Sequence, residues 1–211
     1  MNVQITNRYQ RVIDEITTFN WRGLDRDGLM KACRAYYYFS KQFVDAVHIA
    51  CDLYPSDQNL ISLREGECDT DNLSPYPGIA ERGEKMNHDE FMRRVIESAS
   101  LDQAARERVD NLGREYLAEV SRGDPLTRAM ALSSYEDGGL EAVFGAMLTA
   151  PDWNEPSLGA FKHFLVEHIK LDSGEESHGA LCRHLVADDR ILPLWEAFKS
   201  LLSTAAPRLI A

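Results

Sequence analysis

Residues 168–179 read HIKLDSGEESHG, two histidines, one aspartate and two glutamates beside an amphipathic segment. Imidazole and carboxylate groups brought to one side of a helix bind transition-metal ions. His168 and Asp172 lie four residues apart, so at 100° per residue they differ by about 40° and share a helix face. Phe161, Phe164, Leu165, Ile169 and Leu171 give this helix a buried side, and His168 falls between Leu165 and Ile169 on the helical wheel. A histidine there meets either a metal ion or a backbone carbonyl at the core edge. On a regular helix His178 lies about 120° from Asp172, whereas Glu175 stays near the His168 face. Gly174, between Ser173 and Ser177, favours a bulge or short break. If two residues loop out there, His178 rejoins the His168 and Asp172 side. Glu175 and His178 therefore both stand as the third donor of this stretch.

Three donors from one helix leave an octahedral site incomplete, so others must come from elsewhere. In ALSSYEDGGLEAVFGAML, Glu136 follows Met130, Leu132 and Tyr135 and precedes Leu140, an apolar context, with Glu141 as its competitor. NHDEFMRRVIES predicts a helix with Asn87 as N-cap, Glu90 as capping-box partner and His88 at the first helical position. LREGEC ends the helix before it. Glu67 can face His88 across the base of the intervening loop, and Glu81, seven residues before His88, is the alternative.

The elements that position these residues are helical. Nearly every segment carries helix periodicity, and no run of alternating β-branched residues is bounded by hairpin turns, so the chain is expected to be all-α. Helices are expected over about residues 6–20, 25–53, 56–67, 88–98, 101–121 and 125–149, then from Pro156 into HIKLD, and finally around ILPLWEAFKSLL. Asp124 as N-cap with Pro125 at N1 announces the sixth of them. CDTDNLSPYPGIAERGEKMN, with two prolines and two glycines, predicts an extended surface loop. The second helix is long and central, striped by Leu29, Cys33, Tyr36, Tyr37, Phe43, Val44 and Val47. Of its consecutive tyrosines, Tyr36 or Tyr37 is the candidate to supply an electron or hydrogen atom near a metal centre. Without repeats or a linker, residues 1–211 are expected to form one domain, a bundle of about seven helices whose functional groups lie between facing helices.

The order of these residues, a glutamate, a histidine at a helix start, a glutamate in a middle helix, then H-x-x-x-D with a later histidine, resembles the heme-oxygenase-like dimetal oxidases and oxygenases. NHDEFMRRVIES resembles that family's histidine-led helix and HIKLDSGEESHGAL its last ligand helix, and the likeness spans most of residues 60–185. It implies a seven-helix bundle related in fold to heme oxygenase and thiaminase II. It implies that Glu67 or Glu81, His88, Glu136, His168, Asp172 and His178 hold two metal ions, with Glu136 preferred to Glu141 for its spacing from His168. It further implies an enzyme that uses O2 to oxidise or cleave a small amine- or carboxylate-bearing metabolite. Two departures stand out: the family's third ligand on the last helix usually follows its aspartate more closely than His178 does, and the loop before His88 is longer than usual. Imidazole and carboxylate without thiolate suit two non-heme iron ions, with manganese the alternative. Heme is disfavoured, because the first histidine is His48 and no proximal ligand precedes it.

Composition narrows the field. The net charge of −11, spread along 211 residues, repels phosphate backbones and argues against nucleic-acid and membrane-surface partners. Cys33, Cys51, Cys68 and Cys182 show no C-x-x-C pair, and MNVQITNRYQ has no leader-like apolar run, so a reduced, cytoplasmic setting is expected. A homodimer is left open. Two other readings remain: a thiaminase II-like hydrolase or metal-free relative with a cysteine nucleophile, and a non-catalytic helical interaction module, whose sign would be an exposed His168 and Asp172. Arg34, Lys41 and Lys162 are candidate anchors for a substrate carboxylate.

Overall fold

The apolar stripe of the second predicted helix sets the architecture. In a computed structural model, which describes residues 7–172 and 178–211, this helix is α2, Arg26–Leu53, capped by Asp25, whose side chain accepts from the Gly28 N–H. At 1.5 Å per residue it runs about 42 Å and serves as the central post. It packs against α3 (Gln58–Glu67), α4 (His88–Ser98), α5 (Gln103–Val120), α6 (Pro125–Ser134), α8 (Pro156–Asp172) and α10 (Leu192–Ala205). Three further segments, α1 (Arg8–Thr17), α7 (Leu140–Met147) and α9 (His178–Cys182), complete the helices. One continuous core runs from Val12 to Leu209. Among the described residues there is no strand, and no helix is long and apolar enough to cross a membrane.

The tyrosine triplet on α2 divides as consecutive helical residues must. Tyr36 is buried among Phe39, Phe144, Phe161, Phe164 and Phe198. Tyr37 is half-exposed, and the Tyr38 hydroxyl donates to Asp110 at 2.9 Å.

The structure departs from the sequence expectation in three places. First, the helix expected over 125–149 breaks at Tyr135–Gly139, which is one reason the helical segments outnumber the seven anticipated. Asp137 (ψ 56°) and Gly138 (φ 92°) leave helical geometry, and the widened turn faces Glu136 inward. Second, the loop 68–87 is not simply a surface excursion. Thr70 pairs with Met86 in both directions (3.1 and 2.9 Å), and Leu73, Ile79, Ala80 and Met86 are buried. Third, the expected capping box at Asn87 is absent. The Asn87 side chain accepts from the Asp69 N–H at 3.1 Å, while the Glu90 carboxylate is held by Arg93 and Arg94. Closing the loop base takes the asparagine away from its own helix. By contrast, Asp124 caps α6 as its position before Pro125 suggests, accepting from the Thr127 N–H at 2.9 Å.

The break in the middle helix depends on a left-handed residue. An added Cβ at Gly138 would meet nothing within 4 Å, so Gly138→Ala isolates the backbone cost of φ 92°. We expect it to lower the unfolding free energy by about 1–2 kcal/mol. Urea denaturation should show the midpoint falling with an unchanged m-value, and an unmoved midpoint would contradict the conformation assigned to this turn.

Candidate metal centre

The helix ends bring five ionisable side chains to one place. Glu67 is the last residue of α3, His88 the first of α4, Glu136 sits in the widened turn, His168 lies near the end of α8, and His178 opens α9. They are exposed by 1, 2, 3, 5 and 8 % respectively. Charged groups are almost never buried to this degree unless paired or bound to an ion. Gly66 makes room for the assembly, because a Cβ there would lie 2.6 Å from His178 Nε2.

Glu67 stands at the centre. Its Oε2 is 2.6 Å from His88 Nδ1, and its Oε1 is 3.0 Å from His178 Nδ1. Glu136 Oε2 approaches the same His178 nitrogen at 3.5 Å. His168 Nε2 lies 2.9 Å from His88 Nδ1. Two triads of donor atoms result, Glu67 with His88 and His168, and Glu67 with Glu136 and His178, each with its atoms within 4.8 Å of one another. Glu67 belongs to both and contributes a different oxygen to each contact.

Hydrogen-bond chemistry points the nitrogens of the first triad into the centre. His168 Nδ1 is 2.9 Å from the Phe164 carbonyl one turn back, and a carbonyl only accepts, so this nitrogen carries the proton and Nε2 presents a lone pair. The partner that a core-edge histidine needs and the orientation that a metal ligand needs are thus the same contact. Phe164 also stacks against the ring, centroids 4.0 Å apart, and keeps water from it. Among the described residues neither Glu67 Oε1 nor Glu136 Oε2 accepts a hydrogen bond, although both are shielded from solvent. Both oxygens face His178 Nδ1, at 3.0 and 3.5 Å, and a cation between the converging donors would satisfy them further.

The charges bear on one another strongly. Burial works against ionisation of Glu67, yet His88 and His178 hold its carboxyl well below the usual range. Burial, reinforced by His88, lowers His168 to about 3. Burial disfavours the charged form of His178 as well, but the neighbouring Glu136 and Glu67 carboxylates raise it to about 11.

Of the residues singled out in the sequence, the structure gathers Glu67, His88, Glu136, His168 and His178. It does not bring Glu81, which is exposed in the loop, or Glu141, which is exposed on α7. Asp172 is the last residue of α8, one turn beyond His168, and its side chain lies outside the described residues. Glu175 and the bend proposed around Gly174 also lie outside them. Tyr36 lines a small cavity between the triads and α2, with Ser40, Phe43, Leu140 and Phe164. Tyr37 does not; it packs on Tyr38 with Lys41 over its ring. Arg34 is engaged by Asp110 and Lys162 lies over Trp153, and neither they nor Lys41 reach this cavity. Sequence reasoning missed Asn72, whose Oδ1 lies 2.9 Å from His88 Nε2. A lone asparagine in a loop carries no periodic or spacing signal.

The cysteine-based reading gains nothing from the thiols. Burial raises Cys33 and Cys51, and burial with the Glu67 charge raises Cys68 to about 12, the reverse of nucleophile activation. The exposed His168 expected of a non-catalytic module is not found either. No family model, curated protein or solved structure matches the chain.

Two histidines with opposite shifts give the metal-free protein a stability maximum near pH 6.5, the ordinary value of both. Below it the unfolded chain protonates His168 while the folded chain does not, so stability falls with pH. Above it folded His178 keeps a proton that the unfolded chain releases, so stability falls as pH rises toward 11. Each flank should approach about 1 kcal/mol per pH unit. Urea unfolding of chelator-treated protein checks this: His168→Gln should flatten the acidic flank and His178→Gln the alkaline one. Unchanged slopes in both variants would contradict the assignments.

Proposed function

We propose that this chain is a non-heme dimetal oxidase or oxygenase, with iron as the metal and manganese as the alternative, on a heme-oxygenase-like bundle. The observation that carries the reading is the division of one buried carboxylate, with Glu67 Oε2 beside His88 and Oε1 beside His178. A carboxylate shared in this way would help to hold two ions. One would be held by Glu67, His88 and His168, the other by Glu67, Glu136 and His178, and Asp172 is the sequence candidate for a further position. Nitrogen and oxygen donors without thiolate match iron(II) or manganese(II). Three protein donors per ion leave positions open for exogenous ligands. When bound, two iron(II) ions supply electrons that reduce dioxygen.

The chain's own residues orient, shield and donate. The Phe164 carbonyl fixes the His168 ring, and Phe144 and Phe164 wall it off from solvent. Tyr36 is buried and lines the cavity, which makes it the candidate to give a hydrogen atom. That cavity has about 10 Å³ of room for the centre of a water molecule. A site of this size takes one water-sized or dioxygen-sized guest, and a metabolite reaches it only by displacing lining side chains. Among the described residues no lysine or arginine lines it, so of the two substrate classes an amine-bearing molecule fits the acidic lining better.

Anaerobic titration of the metal-free protein should reach about two Fe(II) per chain, and oxygen should then produce a transient visible absorption band. Glu67→Ala should abolish tight uptake of both ions, whereas Glu136→Ala should leave about one, because only Glu67 belongs to both triads. Failure of the unaltered protein to take up metal would defeat the reading.

A further inference from the structure

We infer that Asn72 is a positioning residue that holds a proton on His88 Nε2 and turns Nδ1 of that ring toward the centre. What Nδ1 then binds rests on the dimetal reading, while the Nε2 proton rests on hydrogen-bond geometry alone.

His168 and His88 face the same problem and solve it differently. A histidine late in a helix finds a carbonyl one turn back, as His168 does at Phe164. His88 is the first residue of α4, so no helical turn precedes it. Its second nitrogen must be partnered from outside the helix, and Asn72, in the loop between α3 and α4, does so. The Asn72 amide Nδ2 donates to the Gly66 carbonyl at 2.8 Å. That carbonyl only accepts, so the amide can point only one way, with Oδ1 toward His88 Nε2 at 2.9 Å. An amide oxygen also only accepts, so His88 Nε2 carries a proton. Nδ1 is then the nitrogen that faces Glu67 Oε2 and His168 Nε2, at 2.6 and 2.9 Å, donating to the carboxylate in the metal-free chain and giving up that proton where a metal would bind.

The loop is built to hold this contact. Thr70 and Met86 exchange two backbone hydrogen bonds, and they lie two residues before Asn72 and two before His88 respectively. The Asn72 N–H reaches Thr70 Oγ1 at 3.3 Å. Because Gly66 immediately precedes Glu67, one amide side chain ties the end of α3 to the ring at the start of α4. Two ligands from different helices therefore share a single positioning group, which gives the buried loop a role in the centre. Outer partners of this kind affect metal affinity by about 10–100-fold.

The test uses the full-length chain with Asn72→Leu, which removes both contacts at similar volume, and Asn72→Asp, which keeps an acceptor for His88 but loses the donor to Gly66. In the metal-free protein, nitrogen-15 NMR of the imidazoles should show His88 Nε2 protonated and slow to exchange. In Asn72→Leu the Nε2 proton should be lost or exchange rapidly, leaving the ring proton on Nδ1 beside Glu67, and Co(II) affinity, read by competition with a chromophoric chelator, should fall about 10–100-fold. Asn72→Asp should keep Nε2 protonated, shift its proton signal downfield, and hold Co(II) within a few-fold of the unaltered protein. The inference is overturned if Asn72→Leu retains both the Nε2 signature and the affinity, or if Asn72→Asp loses as much as Asn72→Leu. Should the leucine variant not fold, an unmoved Nε2 proton signal in Asn72→Asp overturns it. If the unaltered protein takes up no Co(II), the dimetal reading fails, and the nitrogen signals of the metal-free protein still decide the role of Asn72.

Discussion

Glu67 sets both oxygens of one carboxylate where water does not reach, with imidazole nitrogens 2.6 Å from one and 3.0 Å from the other. A buried carboxylate is among the costliest groups a helical core can hold, and its pairing here draws on four helices and the widened turn. Well-packed apolar residues in the same volume would often make a more stable protein. On the dimetal reading the cluster is therefore explained by what it would bind and not by what it contributes to folding. An ion bound only to the folded state returns stability in proportion to its concentration over its dissociation constant. Under the proposed reading, metal binding would offset the cost of burying the cluster.

The rest of the fold can be understood as scaffolding for that carboxylate. α2 supplies a wall of Tyr36, Ser40 and Phe43 along one side. The break at Gly138 turns Glu136 inward instead of letting an unbroken helix carry it along a continuous face. A widened turn of this kind inside a helix is frequent at functional sites, because it redirects one side chain without disturbing the flanking turns. The closed loop 68–87 carries the chain from Glu67 back to His88, twenty-one residues apart in sequence and in contact in space.

Much of this was legible in the sequence, for reasons that also mark where legibility ends. Helix periodicity exposes α2, α5, α8 and α10, since their apolar stripes follow the 3.6-residue repeat. His168 was legible because its neighbours on the wheel are apolar, and Glu136 because it interrupts an apolar run. The choice between Glu67 and Glu81 was not, because Glu67 precedes the loop and Glu81 lies within it, and only the pairing of Thr70 with Met86 decides which one meets His88. The break in the middle helix was half-legible: two adjacent glycines inside a helical pattern signal an interruption, yet not which side chain it turns inward. Asn72 was invisible, since its meaning lies in a contact that exists only after the loop has folded.

The central claim is that one carboxylate joins two metal sites. It is tested most directly by electron paramagnetic resonance of the protein loaded with Mn(II). If Glu67 holds two ions in common, the spectrum should be the broadened, temperature-dependent one of an exchange-coupled pair, and Glu67→Ala should abolish it. A spectrum showing only the hyperfine pattern of isolated ions at full loading would contradict the account.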